Sequence, residues 1–288
     1  MDPGQLANLG NLELVARTVV TGFLSGLHRT AVKGASTEFA EHRPYQPGDD
    51  LRRLDWRVYA RRDRLYIKEY EAESNAPLTL LLDVSRSMAF TTRRVTKFDY
   101  ARFAAAALAW LGHRQRDRIG LIPFADRPLD TLPAGRAPWP RPLHALERLT
   151  PAGSGNIEAV AQAALSARRR GIVVVLSDFY AEPLAVAQAL DAWRLRGHDV
   201  IALHILDPGE WDLPFDGQLT FEDLESGVQL ATDPDRIRTR YRERLTHHRD
   251  TLATTLGARG MSYALVTTDQ PLDGLLQRFL HQRARRRR

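Results

Sequence analysis

The sequence predicts an α/β protein built on a mostly parallel sheet with helices on both faces. Two observations carry that reading. Short runs rich in β-branched residues or leucine alternate along the chain with longer helix-like segments, the pattern of strands joined by crossover helices. The 288 residues are 43% hydrophobic, enough for a proper core in one large or two modest domains.

Taken in order, the elements begin with an amphipathic helix near 8–27. From roughly 28 to 76 the alternation breaks. Gly34, Pro44, Pro47 and Gly48 accompany a dense charged run, and Leu65-Tyr66-Ile67-Lys68 reads as a strand. Residues 1–76 are therefore assigned to an N-terminal helix and a small β-rich subdomain, and 77–288 to the main α/β domain. Its strands are expected at 78–83, 118–124, 172–177, 199–205 and 262–267, with helices at about 97–115, 141–149, 156–170, 183–196, 235–257 and 271–283. Asn156 stands where an N-cap is wanted, and Asp233-Pro234-Asp235 puts proline in a first helical turn, where its missing N–H costs nothing. Residues 212–232, apolar at alternate positions around Glu225-Ser226-Gly227, read as an inserted β-hairpin. No internal repeat is visible.

Composition narrows the function. There is no cysteine, which excludes disulfides, thiolate metal sites and cysteine nucleophiles and fits a reducing compartment, so the cytoplasm is expected. The N-terminus lacks the basic and apolar regions of a secretory leader, and no apolar run approaches the ~20 residues that span a bilayer. Formal net charge is +6, yet Arg283, Arg285, Arg286, Arg287 and Arg288 supply most of it. Such a run of like charges is expected to be a solvated terminus. His42, His113 and His204 have no ligand spacing and receive no role.

The chemistry concentrates in Asp83-Val84-Ser85-Arg86-Ser87. An aspartate at the end of a buried strand is followed, at two-residue intervals, by two hydroxyls. In open α/β sheets ligands bind at that edge, and three oxygen side chains on one short loop suit a hard cation such as Mg²⁺ or Mn²⁺. Asp178, after the strand at 172–177, emerges at the same edge if the two strands are neighbours. The loop Gly153-Ser154-Gly155-Asn156 offers a further oxygen from Ser154.

This order resembles the metal-ion-dependent adhesion site of von Willebrand factor A domains. Residues 38–73, EFAEHRPYQPGDDLRRLDWRVYARRDRLYIKEYEAE, resemble the signature of the bacterial family called domain of unknown function 58, in which such a block precedes a domain of that kind. The similarity continues through Asp207-Pro208 and the helix of Tyr241 and covers most of the chain. The resemblance implies that Asp83, Ser85 and Ser87 form the first metal loop, with both hydroxyls ligating directly and the aspartates directly or through water, and that Asp178 supplies the third. The middle loop departs from the pattern. Threonine usually precedes the residue that here is Asn156, whereas this chain has Gly155. Either Ser154 supplies the oxygen after a local shift, or that ligand is absent and affinity falls.

Family members are commonly associated with MoxR-type AAA+ ATPases, which implies a non-enzymatic adaptor whose cation accepts an acidic side chain from a protein partner during assembly or maturation of another protein. Two alternatives belong to other classes. A Mg²⁺-dependent phosphoryl transfer through Asp83 lacks a second acidic residue at position 85 and a glycine-rich phosphate loop. Nucleic-acid binding through the tail and the cluster Arg52, Arg53, Arg57, Arg61 and Arg62 lacks any recognised reading motif.

Overall fold

In a computed structural model, residues 2–29, 42–45, 59, 66–68, 77–135, 138–167 and 169–286 are described. The core strands are β3 (Pro77–Asp83), β4 (Arg118–Phe124), β5 (Leu132–Gly135), β6 (Ile172–Ser177), β7 (Asp199–Leu206) and β10 (Ser262–Thr267), forming a six-stranded sheet in the order β10-β7-β6-β3-β4-β5. All neighbours are parallel except β4 and β5. The five expected strands thus lie within a residue of their places. The sixth, β5, escaped sequence reading because LPAG is short and carries Pro133, which an edge strand tolerates and a central one does not.

The strand side chains alternate between two helical layers, as a two-residue period requires. Leu78, Leu80 and Leu82 of β3, with Ile172, Val174 and Leu176 of β6, enter one core; Leu81, Val173 and Val175 enter the other. Helices α2 (Leu12–Arg29), α3 (Lys97–Arg114), α4 (Arg141–Glu147) and α9 (Asp273–Arg286) cover the first face. The second is covered by α5 (Glu158–Ala163), α6 (Pro183–Arg194) and α8 (Pro234–Ala258). The short helices α1 (Pro3–Leu6) and α7 (Pro208–Asp212) lie at the chain start and just after β7.

Helix α3 is buried nearly all round, which explains its alanines: Ala101, Ala104, Ala105 and Ala106 are fully buried. Small side chains let it fit between the sheet and α2, whose Val15, Val19 and Phe23 form a stripe at helical spacing in the same core. Each such burial stabilises by roughly 1.5–3 kcal/mol. The N-terminal helix is therefore part of the main hydrophobic core. Leu275, Leu276 and Phe279 anchor α9 in the same way, and the helix runs on through Arg286.

The hairpin comprises β8 (Leu219–Glu222) and β9 (Gln229–Thr232), paired antiparallel with Phe221 opposite Leu230. Its turn is held by the Asp223 carboxylate, which accepts hydrogen bonds from the Glu225 and Ser226 amides at 2.8 Å, and by Gly227 in the left-handed region at φ 72°. In the N-terminal block β1 (His42–Pro44) pairs antiparallel with β2 (Tyr66–Lys68), at the strand expected there. The arginine cluster at 52–62 lies outside the described residues. No helix among the described residues is long and apolar enough to cross a membrane.

Candidate metal centre

Because β3 and β6 are parallel neighbours with Leu82 opposite Leu176, their C-terminal ends bring Asp83 and Ser177-Asp178 together. Asp83 is 3% exposed, and both its oxygens are engaged. Oδ1 accepts from the Ser85 amide at 2.9 Å, and Oδ2 accepts from the Ser177 hydroxyl at 2.5 Å. The first bond folds the chain back after the strand, and a 3₁₀ turn over Arg86–Ala89 follows. The Ser85 and Ser87 hydroxyls consequently face each other at 3.0 Å.

The middle loop is tied to this turn through its backbone. The Ala152 amide donates to the Val84 carbonyl at 2.7 Å, the Arg86 amide to the Gly153 carbonyl at 3.1 Å, and the Asn156 amide to the Ala125 carbonyl at 3.0 Å. Gly153 adopts φ 79°, which favours glycine. The N-cap of α5 is Ile157, one residue after the expected Asn156, whose side chain nevertheless accepts from the Glu158 amide at 2.9 Å. A side chain at position 155 would project toward the serine pair, since a Cβ there would lie 3.5 Å from the Ser85 hydroxyl. Ser154 is exposed, and the cavity of about 300 Å³ at this edge is lined by Asp83, Ser87, Gly155, Asn156 and Asp178 without it. Of the five residues singled out in the sequence, Asp83, Ser85, Ser87 and Asp178 converge, while Ser154 stands at the rim of the loop.

Three groups that sequence reading passed over complete the site. Lys97, 1% exposed, donates to Asp178 Oδ2 at 2.8 Å and to Glu210 Oε1 at 2.6 Å, with the Tyr180 ring 4.9 Å from its nitrogen. Its signal was a lysine in the first turn of a helix, where the macrodipole disfavours a cation. Glu210 belongs to a capping box at α7, its other oxygen accepting from the Asp207 amide at 2.8 Å; the D-x-x-E spacing announces it. The third is Glu225 at the hairpin tip, which no pattern signals.

Burial, and then the neighbouring charge of Asp178, push the Asp83 carboxyl up to about 7 despite hydrogen bonds from Ser177 and Ser85. Burial also raises Glu210, against the pull of Lys97. For Lys97 burial works downward, but Asp178 and Glu210 outweigh it and the ammonium is held above its usual range. His204 is pushed down to about 3, chiefly by burial, and is a neutral ring sharing a hydrogen bond with the Tyr263 hydroxyl at 2.7 Å. Asp178 and Glu210 thus share one ammonium, and Asp83 has no cationic partner among the described residues. Oxygen donors with excess negative charge fit a hard divalent cation. No group of three or more His, Cys, Asp or Glu side chains able to hold a metal occurs among the described residues, so the carboxylates by themselves do not form one here.

The sheet order and the two helical layers give a von Willebrand factor A-like α/β fold. Among solved structures, the conserved hypothetical protein BatB from Bacteroides thetaiotaomicron superimposes with a TM-score of 0.50 at 17% identity, covering 72% of this chain and 97% of that one. The chain belongs to the family described as protein of unknown function DUF58, which matches residues 41–251. Its relatives include uncharacterized protein Rv1480 of Mycobacterium tuberculosis, 34% identical over 292 residues, 99% of this chain and 91% of that protein. Over a shorter stretch, uncharacterized protein YeaD of Bacillus subtilis is 46% identical across 55 residues, 19% of this chain and 14% of that one.

Proposed function

We propose that this protein is a non-enzymatic docking module that binds a divalent cation, Mg²⁺ or Mn²⁺, at the sheet edge and uses it to capture an acidic side chain of a protein partner. The observation that carries the reading is the cavity bordered by Asp83, Ser87 and Asp178, with the buried Ser85 hydroxyl 3.0 Å from that of Ser87. Asp83 and the two hydroxyls would hold the ion directly. Asp178, one oxygen of which is taken by Lys97, would act through a water. When bound, the ion supplies an electrophilic centre for an incoming carboxylate. Against phosphoryl transfer through Asp83 stands Ser85, at the position where a second acidic residue would serve as general acid. The partner class we favour is a MoxR-type AAA+ ATPase or its client, and the compartment the cytoplasm.

Calorimetric titration with Mn²⁺ tests the site. One binding event is expected, lost in Asp83→Ala while circular dichroism stays native. No heat at millimolar Mn²⁺, or an unchanged event in the variant, removes the metal from the reading.

A further inference from the structure

The hairpin tip reaches the cavity. Glu225 is half-buried between exposed neighbours, Leu224 and Ser226. Its Oε2 accepts a hydrogen bond from the Gly155 amide at 2.9 Å, across 70 residues of sequence. Its Oε1 lies 3.2 Å from the point where a Cβ on residue 155 would sit, and that point is 3.5 Å from the Ser85 hydroxyl. The carboxylate therefore occupies the space that a side chain at position 155 would fill. It is held there rather than dangling, because the Asp223 carboxylate fixes the tip through the Glu225 and Ser226 amides.

The placement is informative because of what else lines the cavity. Glu225 forms no salt bridge among the described residues, and the cavity it enters already contains Asp83, Asp178 and Glu210, with Lys97 committed to the last two. A carboxylate in such a place adds an oxygen donor to those of Asp83, Ser87 and Asp178 at the same cavity. We infer that Glu225 is a ligand of the cation supplied by the hairpin, giving the oxygen that Gly155 cannot, and that it stands where the partner's acidic side chain binds. This rests on the proposed cation site and adds to it. The hairpin completes coordination in the free protein, and the partner's carboxylate exchanges with Glu225 on docking.

The test is Mn²⁺ binding by the full chain, by calorimetry and by water-proton relaxation, for wild type, Glu225→Gln, Asp83→Ala and the hairpin control Val228→Ala. Glutamine keeps an acceptor for the Gly155 amide and loses the charge. Glu225→Gln is expected to weaken Mn²⁺ binding roughly tenfold or more, since ligand charge sets affinity at oxygen sites. It should also raise relaxivity per bound ion, because water fills the vacated position. Val228→Ala should match wild type. If Glu225→Gln binds as tightly as wild type with equal relaxivity while Asp83→Ala does not bind, the cation site stands and the hairpin ligand is overturned. If wild type itself binds no Mn²⁺, the cation site fails and the inference with it.

Discussion

Lys97→Met is expected to destabilise the fold by about 3–5 kcal/mol, the usual cost of removing one partner from a buried ion pair. The lysine is 1% exposed and is the shared cation of Asp178 and Glu210. Methionine fills a similar volume but leaves two carboxyl groups in a desolvated pocket, one of which burial already raises. The helix dipole recovers a little, because a cation at the first position of α3 opposes it. That gain, typically below ~1 kcal/mol, does not offset the loss. Urea unfolding in chelator measures the effect, and adding Glu210→Gln to Lys97→Met should restore part of it. A single variant within 1 kcal/mol of wild type would show that the lysine does not hold these strand and helix ends together.

In chelator, wild type should lose stability relative to Asp83→Asn as pH rises from about 4 to about 7, on top of the opposite slope that His204, held down to about 3, gives to both proteins. The Asp83 carboxyl is raised from 3.8 to about 7 in the fold, so the folded state holds a proton that the unfolded chain has already released. The stabilisation from that proton is complete below the unfolded value and is lost as pH approaches the folded one. Between pH 5 and pH 8 the difference amounts to about 2–3 kcal/mol. Glu210 is also raised and contributes with the same sign, so the comparison with Asp83→Asn isolates the residue. Saturating Mg²⁺ should bring the wild-type profile toward that of Asp83→Asn, because the ion binds the ionised form and offsets its burial. Parallel profiles for wild type and Asp83→Asn in chelator would mean that Asp83 ionises freely.

The sheet was legible because its strands are continuous apolar runs of six to eight residues, such as IVVVLS and DVIALHIL, that no helix of ordinary length accounts for. The stretch expected as one helix at 156–170 is in fact α5 followed by a 3₁₀ turn at Ala164–Ser166 and an extended Ala167. Its alanine-rich, weakly patterned sequence hides that break. At the site, the aspartate-serine loop and Asp178 were readable from their positions at strand ends. Lys97 and Glu210 had local signals, a cation at the wrong helix end and a capping box, whose meaning appears only once β6, α3 and α7 meet. Glu225 had none. Its contact with Gly155 depends on a hairpin folding across the edge of the sheet, and nothing in the sequence near Glu225 specifies that direction.

Cation-dependent docking is tested most directly by capture of the proposed partner, a MoxR-type AAA+ ATPase from the same organism, measured in Mg²⁺ and in chelator, with Asp83→Ala alongside. The core around Leu80, Leu82, Val174 and Leu176 is apolar and independent of any ion, so circular dichroism should show all three samples folded. Capture should be strong in Mg²⁺ and lost both in chelator and in Asp83→Ala. Equal capture in Mg²⁺ and in chelator, or equal capture by Asp83→Ala, would contradict cation-dependent docking at the sheet edge.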